Sequence, residues 1–407
     1  MGRVIKLAGF IAALIVLCSI FTPIALAGGL PKEIPIGALL AMSGPLSTFG
    51  KREAIAAKMA IDDVNAYVSK LGLDVKFKLY IEDTKVMPEE ALARLSSLAA
   101  RGVKVVVGPM ASSEVAAVKS FADSNKIVVI SQSSTAPQLA IPGDYIFRFV
   151  PTDLFQGRAL ARLAEALGLK KVAAIYRGDA WGDGLFLAFK ENFEKIGGVV
   201  KGVRYDPTAK DLSPEVRKLS EIVSGFGAGP DVGVLMISFE DDGISILTVA
   251  KDDPVLMKVK WFGTDGTAQS TKMIEEVGDI MAKLGGFPNT LFQPAMSPKQ
   301  EEFVERFEKI AGEAPDAYSL NIYDAVWVAA LAIIEARSYD SELIAKILPD
   351  VASRYFGVSG WTLLDKNGDR AFGDYAIWSV VKKDGKYVWE VTGTYSCLSD
   401  KVTFFKK

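Results

Sequence analysis

The chain contains no histidine in its 407 residues. That absence removes Ser–His–Asp and Cys–His nucleophile arrangements, His-ligated zinc and the HExxH metalloprotease motif. An enzyme can work without histidine, but its commonest general base is missing. Cysteine is nearly absent too: Cys18 and Cys397 are the only two. If Cys18 leaves with an N-terminal leader, Cys397 has no partner and no intrachain disulfide forms. Positive charge is not in excess, with 47 Lys and Arg against 49 Asp and Glu, so no basic face for nucleic acid is expected. No GxxxxGK[ST] phosphate loop occurs, and Gly182-Asp183-Gly184 lacks the third glycine of a dinucleotide fingerprint, Leu187 standing there instead. The adjacent acids Glu82-Asp83, Asp241-Asp242 and Asp252-Asp253 read as solvated faces or helix caps. Asp365-Lys366-Asn367-Gly368-Asp369 lacks the glutamate spacing of a calcium loop. Neither a metal nor a cofactor is expected.

Long apolar runs are confined to the start. Arg3 and Lys6 precede the run Leu7 to Ile20, and Ala25-Leu26-Ala27 closes it with small residues. Residues 1–27 therefore read as a secretory signal peptide cleaved after Ala27. Two alternatives stand beside that reading. The apolar stretch is just long enough for a retained membrane anchor. Cys18 could carry a lipid, although Leu17 occupies a place where lipoprotein signals have a small residue. No later segment reads as a membrane span. The expectation is a protein exported across the cytoplasmic membrane, periplasmic or at the cell surface, free or tethered at its N-terminus. Cleavage takes Arg3 and Lys6 from the 47 cations and no acid, leaving 45 against 49, a net charge of −4.

The mature chain is long enough for two domains with separate cores. Its most informative stretch is Val103 to Pro137. The run Val105 to Val107 has the character of a buried parallel strand. Gly108 and Pro109 end it, and Ser112 and Ser113 suit the N-cap of the helix that follows. A second strand, Ile127 to Ile130, runs into Ser131-Gln132-Ser133-Ser134-Thr135-Ala136-Pro137. Two neighbouring strands thus finish in hydroxyl-rich loops, at the carboxyl ends where parallel α/β sheets bind ligands. Hydroxyls beside a helix N-terminus suit a carboxylate, because dipole and free N–H groups both favour an anion.

Ile34 to Leu40 reads as a strand, Arg52 to Tyr67 as an amphipathic helix, Val75 to Ile81 as a strand and Pro88 to Ala100 as a helix. A short strand at Tyr145 to Phe149 completes the first βα series. After Pro151-Thr152-Asp153 a second series begins, with strands at Val172–Tyr176, Val199–Tyr205, Val232–Ile237 and Val259–Gly263. Helices follow at Pro298–Ala311, Ala317–Ala336 and Ser341–Leu348. The tail then turns into antiparallel hairpins through Trp361–Leu364, Tyr375–Val381 and Tyr387–Val391.

Gly108-Pro109-Met110-Ala111-Ser112-Ser113, followed by Ser133-Ser134-Thr135-Ala136-Pro137, resembles the leucine/isoleucine/valine-binding proteins, the solute receptors of branched-chain amino-acid ABC transporters. The resemblance runs over roughly residues 33 to 395 and implies the α/β, two-lobe type I periplasmic-binding fold. In it, two parallel-sheet, Rossmann-like lobes are joined by a three-strand hinge, with C-terminal hairpins. It places lobe 1 at 28–150 plus about 284–358, and lobe 2 at 151–283 plus about 361–397. The crossings fall near Val150, Leu284 and Val358 to Trp361.

The resemblance also implies roles. Ser112 and Thr135 would hold a ligand carboxylate, the backbone carbonyl of Ser133 would accept from its ammonium, and Asp265 would answer the ammonium charge from the second lobe. Asp stands there where relatives have the longer Glu. Trp181 would fold over the ligand, Phe239 would stand where relatives have Tyr, and Phe49 would line the side-chain pocket. Tyr318 and Asp153 are further candidates, Asp153 at the hinge or cleft edge. The implied function is an extracytoplasmic receptor that binds a branched-chain or other apolar amino acid and delivers it to the permease subunits of an ABC transporter. The alternatives are a receptor for an amide, urea or aromatic acid, or a histidine-free exported enzyme.

Overall fold

The computed structural model describes residues 29–405; the expected signal peptide lies outside them. Two parallel sheets organise the chain. The first is assembled from β1 (Glu33–Leu40), β2 (Lys76–Asp83), β3 (Val105–Val107), β4 (Val128–Ser131) and β5 (Ile146–Arg148), in the order β2-β1-β3-β4-β5. All its pairings are parallel, so each strand must return through a crossover; β4 to β5 is joined by a loop with a single 3-10 turn at Pro137–Leu139, and the other three crossovers are helices. These are α1 (Ser47–Lys70), α2 (Pro88–Ala100) and α3 (Ser112–Asn125). Val105, Val106 and Val107 are wholly buried, as β-branched residues covered on both faces should be.

The second sheet has the order β7-β6-β8-β9, from β6 (Lys171–Arg177), β7 (Val199–Tyr205), β8 (Val232–Ile237) and β9 (Lys260–Phe262). Its helices are α4 (Asp153–Ala166), α5 (Ala180–Lys195), α6 (Ser213–Phe226), α7 (Glu240–Ala250) and α8 (Thr271–Lys283). A parallel bridge from Gly263 to Asn289 continues it into β10 (Asn289–Phe292). That strand opens an antiparallel sheet with β13 (Tyr375–Lys383), β14 (Lys386–Ser396) and β15 (Lys401–Phe404), after the short pair β11 (Phe356–Gly357) and β12 (Gly360–Trp361). β10 hydrogen-bonds β13, so the chain stays in paired strand past Leu284 as far as Phe292.

Helices α9 (Pro298–Ala311), α10 (Ala317–Ala336) and α11 (Ser341–Arg354) return to the first lobe, where Phe303, Phe307, Val326 and Leu348 join its core. Contrary to the sequence reading, α10 is long and apolar enough to cross a membrane. Its apolar window is 83% buried against the first lobe, however, which identifies a core helix.

One side chain gathers all three crossing segments. Arg370 donates to the carbonyls of Phe149 (3.3 Å), Ser359 (2.9 Å) and Trp361 (2.7 Å), and its guanidinium lies 4.6 Å from the Phe292 ring centroid. Burial pulls this guanidinium down to about 10, so it is still charged at neutral pH. Beside it, Arg148 grips Asp369 through two bonds of 2.5 and 2.7 Å and donates to the carbonyls of Ser134 and Ala136. The first crossing is thereby tied to the hydroxyl-rich loop.

Candidate functional site

The loops after β3 and β4 are stitched to one another. Ser131 Oγ donates to the Pro109 carbonyl at 2.6 Å, Ser133 Oγ donates to the Met110 carbonyl at 3.0 Å, and Ser112 Oγ lies 2.9 Å from Ser134 Oγ. The Ala136 N–H donates to Ser112 Oγ at 3.2 Å. The N-cap of α3 is Ala111, one residue before the serines. Glu114 reaches back to accept the Ala111 N–H at 3.0 Å, so Ser112 caps nothing and its hydroxyl faces the neighbouring loop. The Glu114 N–H bonds the Ala111 carbonyl at 3.1 Å, which leaves the N–H groups of Ser112 and Ser113 at the open end of α3, where a helix terminus suits an anion.

The second lobe supplies the facing wall. Asp265 and Gly266 follow β9, Phe239 follows β8, and Trp181 sits in the first turn of α5. Asp179 caps that helix, accepting the N–H groups of Trp181 (3.1 Å) and Gly182 (2.9 Å). Trp181 and Phe239 stack with centroids 4.9 Å apart and planes 17° from parallel. Between the walls lies a small cavity, whose lining includes Ser112, Ser133, Trp181, Phe239, Asp265 and Tyr318. The lobes touch around it: Tyr318 OH donates to Asp265 at 2.7 Å, Gln138 Nε2 to the Ala180 carbonyl at 2.5 Å, and Arg52 to the Gln269 carbonyl at 3.1 Å.

Electrostatically the site is acidic. Asp265 is 5% exposed and accepts from Gln156 Nε2 at 2.8 Å as well as from Tyr318. No Lys or Arg forms a salt bridge with it among the described residues. Burial raises its pKa, opposed by the bonds from Tyr318 and Gln156. Asp153 is wholly buried; Thr135 Oγ1 donates to its Oδ2 at 3.0 Å, while its Oδ1 has no partner. Burial raises this acid well above the usual carboxylate range, and the charge of Asp265 raises it further. Two carboxylates in one dry region cannot both ionise cheaply, so the pair keeps a proton unless a cation enters.

The structure brings six of the expected residues to the cavity wall: Ser112, Ser133, Trp181, Phe239, Asp265 and Tyr318. Thr135 is spent on Asp153, away from that wall. Phe49 stands behind Tyr318, ring centroids 6.3 Å apart. Sequence reasoning missed Leu46, Met110, Ala111 and Gly266 in the lining, and Gln156 behind Asp265. Gln156 had a signal: it follows Asp153 by three residues, on the same face of α4.

Residues 52–383 match the receptor family ligand binding region. An uncharacterised protein of Methanocaldococcus jannaschii is 37% identical over 396 residues, spanning 93% of each chain. A leucine-, isoleucine-, valine-, threonine- and alanine-binding protein of Pseudomonas aeruginosa is 24% identical, over 83% of this chain and 87% of that one. Among solved structures, a leucine binding protein from Thermotoga maritima superposes with a TM-score of 0.73 at 23% identity, covering 88% of this chain and 97% of the other. A branched-chain amino-acid transporter substrate binding protein from Streptococcus pneumoniae, in complex with isoleucine, gives 0.71 at 20% identity, over 88% and 99%. The two superpositions establish the two-lobe fold.

Proposed function

This chain belongs to the receptor family ligand-binding regions, alongside the branched-chain amino-acid binding proteins, and from that premise we propose that it is the extracytoplasmic solute receptor of an ABC importer. It closes on an apolar α-amino acid between its lobes and hands it, unchanged, to a membrane permease. The observation that carries this reading is the opposition of two walls. Hydroxyls and a helix N-terminus on one lobe face a buried carboxylate with no salt-bridge partner on the other.

An α-amino acid answers both walls at once. Its carboxylate takes Ser112 and the first-turn N–H groups of α3. Its ammonium takes Asp265 and the Ser133 carbonyl. The side chain lies against Trp181 and Phe239, with Phe49 supporting Tyr318 from behind. Closure and binding are coupled because only the closed form touches the ligand from both lobes.

Calorimetric titration of the chain without its first 27 residues against the twenty amino acids, amides and small aromatic acids tests this. A tight response from an aliphatic amino acid supports the reading. A response confined to non-amino acids removes Asp265 as the ammonium partner.

A further inference from the structure

A buried cation stands behind the aromatic wall without lining the cavity. Arg177, at the end of β6, is 8% exposed. Its Nε donates to Asp179 Oδ2 at 2.5 Å and its Nη1 to the Asp242 carboxylate, which also accepts from Tyr205 OH at 3.1 Å. Asp179 belongs to the start of α5 and Asp242 to the start of α7, so the guanidinium bridges two helices as well as its own strand. It lies 4.3 Å from the Phe239 ring centroid. Phe239 stacks on Trp181 at 4.9 Å, and the two neighbours must take opposite faces of the ring. The far edge of Trp181 lies over Gly266, where an added Cβ would come within 2.7 Å of Trp181 Cη2 and closer still to the Ser238 carbonyl. The order along the stack is Arg177, Phe239 and Trp181, and both rings line the cavity.

We propose that Arg177 is a positioning residue that sets the size limit on the ligand side chain, acting through Phe239 and Trp181. The proposal rests on the amino-acid reading of the cavity. A ligand side chain too long for the site presses on the indole. The indole can withdraw only if Phe239 slides toward Arg177, and Arg177 is held by two carboxylates on separate helices. The planar guanidinium is suited to the task because it lies flat on a ring while its edges reach both acids; an ammonium is a point charge and cannot do both. The aromatic wall is therefore stiff, and stiffness discriminates by size. The column favours branched aliphatic side chains over aromatic ones.

The test compares the parent with Arg177→Lys and with the double variant Arg177→Met, Asp242→Asn, in which no buried acid loses its cation on the α7 side. Calorimetry gives Kd for the tightest-binding aliphatic amino acid and for phenylalanine. Melting temperature and ligand-free tryptophan emission are recorded alongside. The preference for the aliphatic ligand should fall roughly fivefold in the lysine variant and about tenfold in the double variant, on the scale that apolar pockets discriminate side chains. Emission should shift without ligand as Trp181 gains freedom, an effect that a change in melting temperature alone would not produce. A preference within twofold of the parent in folded protein overturns the proposal, and the lysine variant decides alone if the double variant does not fold. A parent that binds no amino acid fails before any substitution is compared; that outcome refutes the receptor reading and this proposal with it.

Discussion

Replacing Asp265 with alanine removes the acceptor for Gln156 Nε2 at 2.8 Å and for the Tyr318 hydroxyl at 2.7 Å, together with the proposed partner of the ligand ammonium. Two effects oppose each other in the empty protein. Each stranded donor costs about 1–3 kcal/mol, while the loss of a carboxyl that burial disfavours in its charged form, next to Asp153, relieves strain. Folding stability should move little. Binding has no such offset: losing one partner of a desolvated charge pair removes about 2–5 kcal/mol. At ~1.4 kcal/mol per decade, Kd should rise roughly 30-fold to several-thousand-fold. Titration calorimetry reads this, with a melting curve to show that the variant is folded. Asp265→Asn keeps an acceptor for Tyr318 without the charge and should fall between parent and alanine. The sign with pH follows from the raised pKa of both acids. The ammonium favours their ionised forms, so affinity should decline as pH falls through the range where the pair takes up a proton. A folded Asp265→Ala protein whose Kd stays within twofold of the parent refutes the argument.

Tryptophan emission should change when ligand is added to the parent, and Trp181→Phe should abolish that change; an undiminished response would assign it to another of the six tryptophans. Glu53 is wholly buried, and burial lifts its pKa to about 8. A pKa raised on folding contributes stability below the unfolded value and loses it as pH climbs through the folded one. The parent melting temperature should therefore fall as pH rises from about 4.5 to about 8 and then level off, with Glu114, pushed up to about 7, contributing over the lower part. Glu53→Gln should flatten the upper part of that decline, and equal slopes in both proteins would remove Glu53 as its source.

Much of the fold was legible because its strands are chemically loud. Val105–Val107 and Val232–Ile237 are apolar runs that only a doubly covered sheet accommodates, and the hydroxyl-rich ends after β3 and β4 advertise where ligand contacts gather. Asp265 was legible as an acid at a strand's carboxyl end, and Trp181 as an aromatic at a helix start. Other features depend on distant partners. Ser112 looked like a cap until Glu114 took that work from its own helix. Arg177 is an unremarked strand residue until Asp179, Asp242 and Phe239 converge on it. The strand β10 pairs with β13, more than eighty positions further on, and no local pattern announces such a partner. The apolar helix α10 shows the same dependence: burial in the first lobe, not composition, decides what it is.

The three crossing segments would, as separate tethers, allow the two halves to slide, splay or swivel in several ways. Gathered on Arg370, they cannot slip past one another without tearing bonds at a common point. In mechanical terms the joint is closer to a door on one pin than to a bag on three strings. A membrane partner that meets both halves at once would then be reading a single coordinate, open or shut.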